Sequence, residues 1–171
     1  MPGKHRKLSV VMGDKERKNI CNNVFKQAVE DTSEISGGYR PGLQALKDKD
    51  ASLIATENRR LLEGSVDIDA CTLAKYPEEA RWDYTIGYEG RAYFVEIHSA
   101  DTSNVNEVIR KAKWLTSWLK TKAPALKALA ANNTYYWIPS GRCKILPTSP
   151  QYKRLIQSNV LLNSRFKLPV K

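Results

Sequence analysis

Residues 83–100, DYTIGYEGRAYFVEIHSA, carry an acid at the first position and another thirteen residues later, with Glu89 between them. Two runs of strand-forming residues flank Glu89-Gly90, and glycine suits a two-residue hairpin turn because it tolerates positive φ. With that dipeptide at the turn, Tyr88 sits opposite Arg91, Thr85 opposite Phe94, and Asp83 opposite Glu96. The two acids then form a direct cross-strand pair with Cβ atoms roughly 5 Å apart. His98, two residues beyond Glu96, points to the same face at the end of its strand.

Like charges placed directly opposite one another destabilise a sheet, so the pair calls for compensation. A divalent cation supplies it, since Mg²⁺ takes one or two carboxylates and completes its sphere with water and substrate phosphate oxygens. Three plainer arrangements stay open: a one-residue slip in register, Asp83 acting only at the start of its strand, or neutralisation by Arg81 and Arg91.

The period changes along the chain. Over residues 14–34, Ile20, Val24, Phe25 and Ala28 share one helical face, with Asp14 placed to cap it. SGGYRPG breaks that helix at Gly37, Gly38 and Pro41. Residues 43–63 read as one or two further helices burying Leu53, Ile54, Leu61 and Leu62, with a stop at Gly64. The stretches SVDIDACTLA, WDYTIGY and RAYFVEIHSA then read as three strands. A long helix comes next, capped at Thr102 or Ser103 and turning Val105, Val108, Ile109, Ala112, Leu115 and Leu119 inward, and Pro124 ends or kinks it. TYYWIP is a fourth strand, CKILP a candidate fifth, and SPQYKRLIQSNVLL a final helix. A meander is antiparallel, whereas a helix between two strands makes them parallel. The fold class is therefore α/β with a mixed sheet.

The hairpin and the order of elements resemble the PD-(D/E)XK, or restriction-endonuclease-like, nuclease superfamily. That family has an α-β-β-β-α-β core, an acid at the start of the second strand and an acid-x-lysine triplet on the third. Asp83 matches the first acid, Glu96 the second, and Ile97 the residue between. The resemblance covers roughly residues 50–140. The length is that of one domain over 1–171, with an N-terminal helical extension at about 14–63, a nuclease-like core at about 50–146 as the resemblance implies, and a C-terminal helix at about 149–164. The resemblance further implies a Mg²⁺ (or Mn²⁺) site on Asp83, Glu96 and the Ile97 carbonyl. His98 stands where the family usually has lysine. In some members the lysine function moves to the following helix, where Lys111 and Lys113 are the candidates. The family often adds an upstream acid, for which Glu57 is the candidate with Glu63 behind it. Asp67 and Asp69, alternating in SVDIDA, are further candidates.

Composition bears on partners. The 171 residues carry 28 Lys plus Arg against 18 Asp plus Glu, a formal net charge of +10. Such an excess favours a polyanion, nucleic acid and DNA first, through phosphate neutralisation and counterion release. Arg59, Arg60, Arg110, Lys111 and Lys113 are the candidate backbone contacts, beside basic runs at 4–7 and 15–18. Tyr135, Tyr136 and Trp137 are better read as core than as a base-stacking platform. Trp114 and Trp118, one helical turn apart, pack together or form an interface. No apolar run approaches the ~20 residues that span a bilayer, and the short apolar segment after the basic start lacks a small-residue cleavage site. Three cysteines without a CxxC pair point to reduced thiols and a cytoplasmic setting. Three functions fit these features: a metal-dependent nuclease cutting phosphodiester bonds in DNA, a catalytically degenerate nucleic-acid-binding domain, or a basic interaction protein. A homodimer would allow both strands to be cut, and the oligomeric state stays open.

Overall fold

The computed structural model describes residues 23–171. The proposed cap Asp14, the apolar Ile20 and the two N-terminal basic runs lie outside the described residues. Helix α1 (Val24–Glu30) starts at Asn23, whose side chain accepts from the Lys26 N–H, and it buries Phe25, Ala28 and Val29. The rest of the expected N-terminal helical region is mostly turns. Its one α-helical piece, α2 (Asp48–Ala51), is a single turn, followed by the two-residue strand β1 (Ala55–Thr56) and a 3₁₀ turn at Arg59–Leu61. The breakers explain this: Gly37 and Gly42 take positive φ of 82° and 54°, which a helix cannot accommodate. Ile54 is buried as expected, while Leu53, Leu61 and Leu62 are half-buried.

Strand β2 (Leu62–Asp67) stops earlier than the alternation in SVDIDACTLA suggests, because the Asp67 side chain accepts from the Ala70 N–H and opens helix α3 (Ile68–Thr72). The short acid that could extend a strand here caps a helix instead. Strands β3 (Tyr84–Tyr88) and β4 (Arg91–His98) pair antiparallel with Thr85 opposite Phe94 and Tyr88 opposite Arg91, the register expected from the turn. Glu89 and Gly90 take φ of 49° and 72°, as a primed hairpin turn requires.

The 17-residue helix α4 (Val105–Thr121) buries all six residues expected to face inward. A 3₁₀ turn at Thr102–Asn104 precedes it, and Pro124 sits at the start of a separate short helix, α5 (Pro124–Ala128). Strand β5 (Tyr135–Pro139) returns parallel to β4. The final helix α6 (Pro150–Gln157) is shorter than expected, since Asn159 at φ 59° turns the chain and Val160–Leu162 forms strand β6, parallel to β5. CKILP forms no strand. Its Lys144 N–H reaches only the Ala100 carbonyl, at 2.9 Å, and β6 takes the free edge of β5. Strand β7 (Lys167–Leu168) pairs with β1 in a separate two-stranded sheet.

The result is an α/β domain built on a five-stranded mixed sheet in the order β2-β3-β4-β5-β6. Each sheet face has its own core. On one, Phe25, Trp82, Ala92, Phe94 and Trp137 pack against α4, Leu126 of α5 and Leu155 of α6. On the other, Tyr84, Ile86, Val95, Ile97 and Ile138 are covered by Leu46, Ile54, Phe166 and Leu168. Gly87 lets α1 lie flat on β3, since a Cβ there would come within 2.2 Å of the Phe25 ring. Alternation along β4 fixes the direction of its acid: Ala92 and Phe94 face the helices, so Glu96 and His98 face them too.

Candidate functional site

Glu96 is a fully buried carboxylate in this fold, and Asp83 stands immediately before β3, where the register continues to bring it opposite Glu96. Each acid accepts from a backbone N–H of the opposite segment. The Asp83 N–H donates to Glu96 Oε2 at 3.1 Å, and the Ile97 N–H donates to Asp83 Oδ2 at 3.1 Å. The remaining oxygen of each acid meets the same cation: Lys111 Nζ donates to Asp83 Oδ1 at 3.2 Å and to Glu96 Oε1. All four carboxylate oxygens thus accept a hydrogen bond.

Helical phase delivers Lys111. It lies three residues after Val108 and four before Leu115, both buried, so its aliphatic stem runs along the core flank and its ammonium reaches past it. The side chains of Lys111, Asp83 and Glu96 are 13%, 21% and 0% exposed. Burial, reinforced by the Asp83 charge, pushes the Glu96 carboxyl well above the usual glutamate range, against the pull of Lys111. Burial alone would lower Lys111, but the two carboxylates outweigh it and hold its ammonium above the ordinary lysine value. Both shifts have one meaning: two acids side by side, one of them fully buried, favour retention of positive charge, as a proton or as a cation.

Backbone contacts fix Asp83 further. The Ile68 and Asp69 N–H groups at the start of α3 donate to its carbonyl at 2.8 and 3.3 Å. This puts Asp67 at the edge of the site, though its carboxylate is engaged in capping α3. Burial first, then the charges of Asp69 and Asp83, raise the Asp67 carboxyl against the Ala70 hydrogen bond. Asp69 is not on the strand face expected for it. It lies in α3 and pairs with Arg81 Nε at 2.8 Å.

The other candidates are distributed differently. His98 ends β4 on the same face as Glu96, but its Nδ1 lies 3.0 Å from the adjacent Ser99 carbonyl, and its own carbonyl accepts from Trp137 Nε1 and the Ser140 N–H. Ile97 is buried, and its carbonyl shares the β3 side of the strand with the N–H that bonds Asp83, as within any strand residue. Glu57 is exposed, lies in a loop rather than a helix, and pairs with Lys171 at 3.1 Å. It belongs to the opposite end of β3, because its neighbour Asn58 bonds the Tyr88 hydroxyl there. Glu63 also serves that end, accepting from the Gly90 N–H at 2.8 Å. Arg59 and Arg60, in the 3₁₀ turn that leads into Leu62 opposite Tyr88, are likewise at the far end and not beside the acids.

Arg110 and Lys113 are exposed on α4 and line an open groove of about 760 Å³ with Glu107, Trp114 and Tyr76. Trp114 stacks on Trp118 at 5.7 Å between ring centroids and meets Tyr76 edge-on. Tyr136 and Trp137 are buried, and Tyr135 is half-buried between Trp82 and Phe94. These strand aromatics are core. Sequence reasoning missed a half-buried acid, Glu34, which accepts from Tyr76, Lys75 and Trp118 Nε1, and a second buried acid, Asp50, which accepts from the Tyr84 hydroxyl at 2.9 Å. Neither has a local signature, since their partners lie far along the chain.

Among the described residues, no group of three or more His, Cys, Asp or Glu is placed to hold a metal ion, and no helix is long and apolar enough to cross a membrane. Cys71 and Cys143 are free thiols. In comparison with known proteins, the chain matches no family model, no curated protein and no solved structure at a significant level.

Proposed function

We propose that the protein is a metal-dependent nuclease that hydrolyses phosphodiester bonds in DNA, with a restriction-endonuclease-like core formed by α2, β2, β3, β4, α4 and β5. One observation carries the reading: the half-buried Asp83 and the fully buried Glu96 converge on a single cation, supplied by a lysine of the following helix. A stable fold gains little from burying two carboxylates side by side, and titratable groups perturbed by burial and by one another are a mark of functional sites. The donor set suits Mg²⁺ or Mn²⁺, which accept one or two carboxylates with a backbone carbonyl and waters. Asp83, Glu96 and the Ile97 carbonyl would hold the ion.

When bound, the ion would lower the pKa of a water and stabilise the charge that develops on the phosphoryl group. The chain's own residues do the rest. The backbone N–H groups of Asp83 and Ile97 hold both carboxylates in orientation. Lys111, whose ammonium bridges both acids here, would fill the family's lysine role from the helix, offering positive charge to the phosphate oxygens beside the ion. Arg110 and Lys113, exposed on neighbouring turns, would hold flanking phosphates.

The second reading, a nucleic-acid-binding domain without catalysis, draws on His98, which bonds its neighbour Ser99 and contacts neither acid. Turnover separates the two. Supercoiled plasmid is incubated with Mg²⁺ or Mn²⁺ and wild-type protein, Asp83→Ala or Glu96→Ala. Nicking that needs the metal and falls by ~100-fold or more in both variants supports the nuclease. Plasmid binding without nicking at any metal concentration would favour the second reading and overturn the first.

A further inference from the structure

The Lys111 ammonium occupies the point at which the two acids converge. Asp83 Oδ2 and Glu96 Oε2 are each turned to a backbone N–H, which leaves Oδ1 and Oε1 as the pair facing a common cation, and both are held by Nζ. A Mg²⁺ ion needs its oxygens at ~2.0–2.1 Å in near-octahedral geometry, which leaves no room for an ammonium between the same two atoms. Coexistence would also set a single and a double positive charge within ~4 Å in a pocket of low dielectric. We infer that Lys111 is the resident cation of the site, and that a divalent ion reaches Asp83 and Glu96 only by displacing its ammonium. This rests on the metal reading of the site.

The helix provides a place for the displaced side chain. Glu107 lies one turn before Lys111 on α4, the Glu-then-Lys spacing that favours an ion pair. It forms no ion pair among the described residues and lines the open groove beside α4. At that spacing a change of Lys111 rotamer is the movement that would carry its ammonium from the acids toward Glu107. Lys111 thereby neutralises the acids while the metal is away, and metal binding releases a mobile ammonium at the rim of the site, where substrate phosphates would lie.

The test is calorimetric titration of Mn²⁺, without nucleic acid, into wild-type protein and Lys111→Met. With its internal competitor removed, the variant binds Mn²⁺ about tenfold more tightly or better, and its melting temperature rises more on Mn²⁺ addition than that of the wild type. Equal or weaker binding by a folded variant would overturn the displacement while leaving the metal site in place. Absence of binding by both proteins would overturn the metal reading and the inference together. A measurement on the wild type alone covers a variant that does not fold. Lys111 is acetylated slowly by an amine-reactive reagent in the metal-free protein and several-fold faster at saturating Mn²⁺, as read by peptide mass spectrometry. An unchanged rate in the presence of bound Mn²⁺ overturns the displacement.

Discussion

Glu34, half-buried, and Glu96, fully buried, are two glutamates that each receive a lysine ammonium, and their environments drive them in opposite directions. Glu34, with its side chain 7% exposed, accepts from Lys75, from the Tyr76 hydroxyl at 3.0 Å and from Trp118 Nε1 at 2.8 Å. Burial opposes its ionisation, but these three donors prevail and hold its carboxyl below the ordinary value. Glu96 has one lysine, one backbone N–H and a second carboxylate beside it, and its carboxyl is raised. Glu34 ties the segment after α1 to α4 and is satisfied. Glu96 stays short of positive charge after every bond its surroundings provide. A satisfied acid is a structural tether, whereas a buried acid raised by a neighbouring carboxylate is the kind of group that functional sites collect.

The two lysines give the largest contrast. Lys75 is 57% exposed, so Lys75→Met removes a solvent-screened pair and has a small effect on stability. Lys111→Met strands two facing carboxylates, one of them fully buried, and costs roughly 3–5 kcal/mol in metal-free protein. Urea unfolding of the two variants measures the difference. Equal losses would mean that the Asp83–Glu96 pair is no more strained than the Glu34 tether.

Acid–base behaviour sharpens the same contrast at smaller amplitude. Glu34 has a lowered carboxyl, so its contribution is present above the ordinary value of 4.5 and is lost as pH falls through its folded pKa. Glu96 has a raised carboxyl, so the sign reverses: its contribution is present below 4.5 and is lost as pH rises toward its folded pKa. The groups facing Glu34 are Lys75, Tyr76 and Trp118, and those facing Glu96 are Asp83 and Lys111. In metal-free protein followed by urea midpoint between about pH 3 and pH 8, Glu34→Gln flattens the loss of stability on the acid side. Glu96→Gln flattens the decline above pH 4.5. Asp67 adds a decline of the same sign as Glu96, so the comparison is of slopes between variant and wild type. A Glu96→Gln profile parallel to wild type would remove the ground for calling that acid strained.

The hairpin is legible in the sequence because its signal is local. Glu89-Gly90 sets the turn, the turn sets the register, and the register places Asp83 against Glu96. The α4 core face is legible for a similar reason, since six apolar residues repeat at helical spacing. The same spacing separates Lys111 from Lys113, because only Lys111 falls in phase with Val108 and Leu115. Their nearness in the chain makes them equal candidates until the packing of the helix shows which one reaches the acids. The unreadable parts lie where a short segment serves a distant partner. Asp67 alternates like a strand residue but caps a helix, and VLL continues a helical pattern but is captured by the open edge of β5. Arg59 and Arg60 look close to the acids because the chain between them and Asp83 is short, yet β2 and β3 carry them to the opposite end of the sheet.

That separation supplies the smallest test, between two basic pairs of equal charge. If DNA lies across the acids, Arg110 and Lys113 neutralise phosphates next to the site, while Arg59 and Arg60 lie a strand's length away. Removing one cation that neutralises a phosphate lowers the slope of log K against log salt by about 1. Arg110→Ala with Lys113→Ala should therefore reduce the slope by about 2 and weaken binding alike across sequences. Arg59→Ala with Arg60→Ala should leave it nearly unchanged. The readout is fluorescence anisotropy of a labelled duplex over a salt series, in a Glu96→Gln background so that no substrate is consumed. Equal reductions from the two pairs would mean that the formal charge of +10 attracts DNA diffusely, with no track leading past Asp83 and Glu96.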